Sequence, residues 1–119
     1  MSITSSERKR FSFSKIERLT KDREFERIFR AKNSYADNNL IIYVYQRDTE
    51  HEGKQVRLGL VTKRKLGKAV IRNKLKRRLR EIFRLNKHRL KPGLDIIFLS
   101  RENAVSRSYQ ELENSVLKL

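Results

Sequence analysis

The segment from Lys63 to Lys91 holds 14 Lys or Arg against one acid, Glu81, while its apolar residues Ile71, Leu75, Leu79, Ile82 and Phe83 recur at helical spacing. That combination predicts a helix from about Gly67 to Leu90, with one apolar stripe to bury and cations on the remaining arc. At about 100 degrees per residue, Arg72, Asn73, Lys76, Arg77, Arg80, Arg84 and Lys87 fall roughly opposite the stripe. Solvated helices usually mix charge signs for i, i+4 pairing. Here Arg72, Lys76, Arg80 and Arg84 are successive like charges, each pair mildly destabilising until a polyanion arrives. The other 90 residues carry 16 bases and 13 acids, so the net charge of +16 is concentrated in this one element. Charge divided this way suits displacement of counterions from a nucleic acid better than it suits solubility.

The rest of the chain must supply a surface for that stripe to pack on. With 119 residues, one domain with a thin core is expected. Residues 1–18 are basic and serine-rich without apolar periodicity and read as an arm, leaving 19–119 as the single domain. Thr20 is a candidate N-cap for a short helix over about 20–32, with Asp22 and Glu24 in its first turn and Phe25, Ile28 and Phe29 on one face. Asn33 to Asn39 reads as a turn, and Leu40 to Tyr45 as a strand with Leu40, Ile42 and Val44 on its core face. The acidic run Asp48 to Gly53 reads as a hairpin loop returning through Gln55 to Thr62, so those two strands are expected to pair antiparallel. Pro92-Gly93 should end the basic helix before a strand at Leu94 to Leu99. Ser108 with Glu111, followed by Leu112 and Val116, marks a last helix. The expected order is αββαβα.

Several function classes drop out. No cysteine is present, and His51 and His88 are too few and too far apart to suggest a metal site. Phosphate-loop, zinc-protease and nucleophile-elbow motifs are absent, so no protein-only catalytic residues are expected. Asp22 and Glu26, four apart, read as a solvated pair at a helix start. The longest apolar runs fall far short of the roughly 20 residues a membrane span needs, and no signal-peptide pattern precedes them, so a cytoplasmic protein is expected. A second constellation is aromatic. Phe25, Phe29, Tyr43 and Tyr45, with Arg64 and Lys65, could line one groove for single-stranded RNA, although Phe pairs at i, i+4 are commonly core residues.

The run Leu66-Gly67-Lys68-Ala69-Val70-Ile71-Arg72-Asn73-Lys74-Leu75-Lys76-Arg77-Arg78-Leu79-Arg80-Glu81 closely resembles the signature (I/V)GNAVxRNRxKRxxRE of the bacterial ribonuclease P protein subunit. The resemblance continues through Arg18 to Phe25, Arg57-Leu58-Gly59-Leu60 and Asp95-Ile96-Ile97. It implies an α+β two-layer sandwich like the second domain of ribosomal protein S5, with a left-handed βαβ crossover. It implies an endoribonuclease holoenzyme in which a catalytic RNA, with Mg2+ held mainly by RNA, removes the 5′ leader of precursor tRNA. Lys68, Arg72, Asn73, Lys74, Lys76, Arg77 and Arg80 would then face that RNA. Phe25, Phe29 and Tyr43, extended by Tyr45, Arg64 and Lys65, would face the leader. No obligate protein partner is implied. Lys68 stands where Asn is usual, Lys63 where Ser is common, and Lys74 where the motif has its second Arg, which keeps the charge but loses the bidentate fork. A ribosome-associated RNA module would share the charge segregation, and co-sedimentation with ribosomes would distinguish it. A membrane-surface helix is disfavoured because the core needs the apolar stripe.

Overall fold

The computed structural model describes residues 18–118, so the basic arm, apart from Arg18, lies outside the described residues. Helix α1 spans Asp22–Arg30 and strands β1 and β2 span Ser34–Ala36 and Leu40–Gln46. A one-turn helix α2, Thr49–Glu52, precedes β3, Arg57–Val61. Helix α3, Ala69–Asn86, β4, Leu94–Ser100, and helix α4, Tyr109–Lys118, complete the chain. The six major elements follow the expected order, with β1 and α2 as short additions.

The four strands form one sheet in the order β1-β2-β4-β3. Strand β4 lies antiparallel to β2, with Ile42 opposite Phe98, and parallel to β3, with Gly59 opposite Ile97. The antiparallel pairing expected between β2 and β3 is therefore not formed. Alternation within a strand reports its faces and not its neighbours, and Asp95, Ile96, Ile97 and Phe98 are all buried, which suits β4 to the centre. Residues 48–53 are not a hairpin loop but hold α2, capped by the Asp48 carboxylate, which accepts from the Glu50 backbone N–H at 3.0 Å. The segment read as a turn contributes β1, a three-residue edge strand too short and polar to show periodicity.

Two cores lie on opposite faces of the sheet. Leu40, Ile42, Leu58, Ile96 and Phe98 pack against Leu75, Leu79, Ile82 and Phe83 of α3 and Leu112 of α4. Each fully buried side chain of this kind contributes about 1.5–3 kcal/mol. On the other face, Ile28 of α1 packs with Leu19 and Ile97, flanked by Phe25, Tyr43 and Tyr45. The two faces read from the alternation of β2 are thus the two faces of the structure.

Helix boundaries differ from expectation where caps decide them. Lys21, not Thr20, is the N-cap of α1 and makes no side-chain cap. Helix α3 stops at Asn86, whose side-chain N–H donates to the Ile82 carbonyl at 2.8 Å. A 3-10 turn, Lys87–Arg89, follows, so Pro92-Gly93 forms the entry to β4, with Gly93 at φ 80°, and does not terminate the helix. Ile71, expected in the buried stripe, is 41% exposed, and the stripe begins at Leu75. The capping box of α4 is present: Ser108 Oγ accepts from Glu111 N–H, and Glu111 Oε1 accepts from Ser108 N–H.

Candidate nucleic-acid interface

The outward face of α3 presents Asn73, Lys74, Arg77 and Arg80 to solvent, with Arg72 and Lys76 half-buried beside them. Burial of Leu75, Leu79, Ile82 and Phe83 orients this face, because a helix that anchors one stripe has no freedom to rotate. Lys68 is exposed at the N-cap, and the first turn contains no acid. Arg72 turns back on the helix start, its Nε donating to the Gly67 carbonyl at 3.1 Å. The track of like charge loses strength at its far end, where Arg84 is paired with Glu81. Hydrogen bonding within that pair holds the Glu81 carboxyl below the usual carboxylate range and raises the Arg84 guanidinium. Arg78 lies off the track, its Nη1 donating to the Arg107 carbonyl at 3.0 Å.

The second surface lies across the sheet. Phe29 and Tyr43 meet edge to face, centroids 4.7 Å apart at 81°, and Phe29 remains 37% exposed. Phe25 lies over Gly59 so closely that a Cβ on Gly59 would sit 2.7 Å from two ring carbons. Tyr45 is covered on one face by the Arg27 guanidinium, 4.4 Å from the ring centroid. Of the four aromatics assigned to one groove, Phe29 and Tyr43 form its contact pair, Phe25 is half-buried as α1 packing, and Tyr45 is capped by a cation.

Along the same face of the sheet, Ile41 and its partner Leu99 continue the line of Tyr43 and Ile97. They line a polar notch of about 390 Å3 together with Lys63, Lys65, Arg101 and Glu102, the last lying 3.8 Å from the Lys65 ammonium. Lys65 lines this notch, which lies on the same sheet face as Tyr43. Arg64 is exposed on the same 3-10 turn, Arg64–Leu66, but does not line the notch.

Sequence reasoning missed what holds α1 in place. Asp95 is fully buried, and three arginines converge on it. Arg57 donates through Nε at 2.7 Å and Nη2 at 2.8 Å. Arg47 Nε lies 2.9 Å away as an ion pair, and Arg27 Nη2 donates at 3.3 Å. Glu24 pairs with Arg57 and Glu52 with Arg27, so three acids balance three bases. The hydrogen bonds from Arg57 to Asp95 raise its guanidinium, whereas burial lowers that of Arg47. The signal was a lone acid inside an apolar strand, because a charge in such a place must be paired.

The ribonuclease P family model matches residues 13–119. The chain belongs to the ribonuclease P protein family. It is 38% identical to the ribonuclease P protein component of Alkaliphilus oremlandii over 104 residues, covering 87% of this chain and 88% of the relative. The solved structure of the Staphylococcus aureus RNase P protein superposes with a TM-score of 0.76 at 32% identity, over 86% of this chain and 90% of that one. The Thermotoga maritima protein gives a TM-score of 0.75 at 34% identity, over 86% and 93%. The fold is therefore the α+β sandwich of this family, with the β3–α3–β4 crossover joining parallel neighbours. Membership makes the chain the protein component of a tRNA-processing endoribonuclease. No helix among the described residues is long and apolar enough to cross a membrane.

Proposed function

We propose that the outward face of α3 docks on the catalytic RNA of ribonuclease P, while the groove between α1 and the sheet receives the 5′ leader of precursor tRNA. Lys68, Arg72, Asn73, Lys74, Lys76, Arg77 and Arg80 make the first surface. Phe29 and Tyr43, continuing to Lys63, Lys65 and Arg101, make the second. Phe25 acts there mainly by seating α1, and Tyr45 by holding Arg27 at the rim. Arg64 meets the leader from outside the notch. The observation that carries this reading is the placement of an acid-poor cationic helix and an aromatic strip on opposite faces of one sheet, which lets one small protein grip two RNAs. Hydrolysis of the phosphodiester falls to the RNA with its Mg2+, and the chain contributes binding and alignment. Arginine and asparagine suit that task, since a guanidinium fork grips phosphate and an amide both donates and accepts. The setting is the bacterial cytoplasm.

The test is cleavage of precursor tRNA by the cognate RNA in low Mg2+. The protein alone should not cleave, and adding it should accelerate the RNA. Equal rates with and without protein would refute the proposal. Phe29→Ala should weaken binding of leader-bearing tRNA more than of mature tRNA; an equal loss on both would remove the groove from leader recognition.

A further inference from the structure

The first turn of α3 exposes two branched aliphatic side chains inside the most cationic segment of the chain. Val70 is 79% exposed and Ile71 41%. With Leu75 and Val105 they line a notch of about 360 Å3, rimmed by Lys74 and Arg78. That volume lies at the low end of the roughly 300–1,000 Å3 usual for ligand pockets. Packing does not demand the exposure, because Leu75, one turn on, already closes the core.

The notch is also held in shape. Arg78 is fixed beside it by donating to the Arg107 carbonyl at 3.0 Å. Gly67, at φ 144°, stands beside Ile71, where a Cβ would lie in ordinary van der Waals contact at 3.4 Å from Cδ1, and Arg72 ties down the Gly67 carbonyl. Charge selects the occupant. The one acid of the segment, Glu81, is about two helical turns from Lys74 and is engaged by Arg84. A second copy of this chain would bring its own +16 against the rim. An unpaired nucleobase instead brings an apolar ring flanked by phosphates, which matches aliphatic walls between two cations.

We propose that this notch receives one unstacked nucleobase of the RNA bound by α3, with Val70, Ile71 and Val105 against the base and Lys74 and Arg78 against its flanking phosphates. The inference rests on the assignment of α3 to the catalytic RNA and adds a base-holding element to a surface that otherwise grips backbone. It also gives Lys74 a role suited to lysine, since a flexible ammonium at a rim needs no bidentate fork.

The experiment titrates the full chain with the ribonuclease P RNA transcribed from the same organism, at several salt concentrations. Parent, Val70→Ser/Ile71→Ser and Arg77→Ala are compared, with thermal melts to verify folding. The double variant should lose about tenfold in affinity, or about 1.4 kcal/mol, with the slope of log K against log salt unchanged. It should also release one base that the parent protects from base-specific chemical modification. Arg77→Ala should weaken binding and reduce the slope by about 1. If Arg77→Ala weakens binding while the double variant keeps parental affinity and base protection, the notch is overturned alone. If Arg77→Ala also binds like the parent, the assignment of α3 to this RNA falls, and the notch with it.

Discussion

Asp95→Asn removes one negative charge from the point where α1, α2, β3, β4 and the chain just after β2 are tied together. The Asp95 and Arg47 side chains are both 0% exposed, and Arg57 is 15% exposed. Glu52 and Glu24 still balance Arg27 and Arg57 after the change. Arg47 keeps backbone acceptors, the carbonyls of Glu52 and Gln55, but loses its counter-charge. An uncompensated buried charge of this kind costs about 3–5 kcal/mol. Total stability at about 0.05–0.15 kcal/mol per residue is on the order of 6–18 kcal/mol for 119 residues, so the loss is a large fraction of the whole. At about 4 °C per kcal/mol, the melting temperature should fall by about 12–20 °C. Circular dichroism of thermal and urea unfolding at pH 7 measures this. Arg47→Met combined with Asp95→Asn should be less damaging than the sum of the single changes, because the orphaned charge goes with its partner. A loss under about 1 kcal/mol for Asp95→Asn, the range of an exposed pair, would refute the view that this cluster anchors α1.

Gly59→Ala would press a methyl group into the Phe25 ring, at 2.7 Å, and should cost about 1–3 kcal/mol while weakening leader binding through displacement of α1. An unchanged urea midpoint would contradict that close approach. Asp37 is pushed up by burial but held below the usual range by hydrogen bonds from the Ser115 hydroxyl and the Leu40 and Asn39 N–H groups, and Glu81 is lowered by Arg84. Both carboxyls therefore contribute stability that is fully present above the unfolded value near pH 4 and is lost as pH falls through their lowered folded values. The urea midpoint should be flat from about pH 7 to 5 and drop in acid, less steeply in Asp37→Asn; equal acid sensitivity in that variant would remove Asp37 from the account. Neutralising about 6–10 phosphates would lower affinity for the catalytic RNA by roughly 10³–10⁵ between 50 and 200 mM salt, which filter binding would measure.

The legible parts of the chain were those set by local periodicity. The stripe of α3, the two faces of β2 and the capping box of α4 each follow from residues a few positions apart. Strand order was not legible, because β2 and β3 are near in sequence yet separated by β4 in the sheet. The same non-locality hid the Asp95 cluster, whose arginines come from α1, from the chain just after β2 and from β3. The groove was half legible. Tyr43 and Phe29 share a face by alternation and helical spacing, but the cation over Tyr45 and the packing of Phe25 on Gly59 depend on where α1 sits.

That dependence connects the two surfaces proposed for RNA. Leu66 belongs to the core beneath α3 and also lines the notch on the opposite face, where Lys63 and Lys65, in the same connection between β3 and α3, stand as its cations. One short segment therefore delivers apolar anchorage to one layer and cations to the other. A shift of α3 on a bound RNA would reach the lysines at the end of the aromatic strip through Leu66, since a close-packed interior does not absorb displacement. Leu66→Ala leaves every charged and aromatic residue of both surfaces in the chain. By loosening that joint it should reduce the help that catalytic RNA gives to leader binding more than it reduces binding of either RNA alone. Leader affinity measured with and without the catalytic RNA decides the matter: an equal loss in both states would mean that the two surfaces act independently.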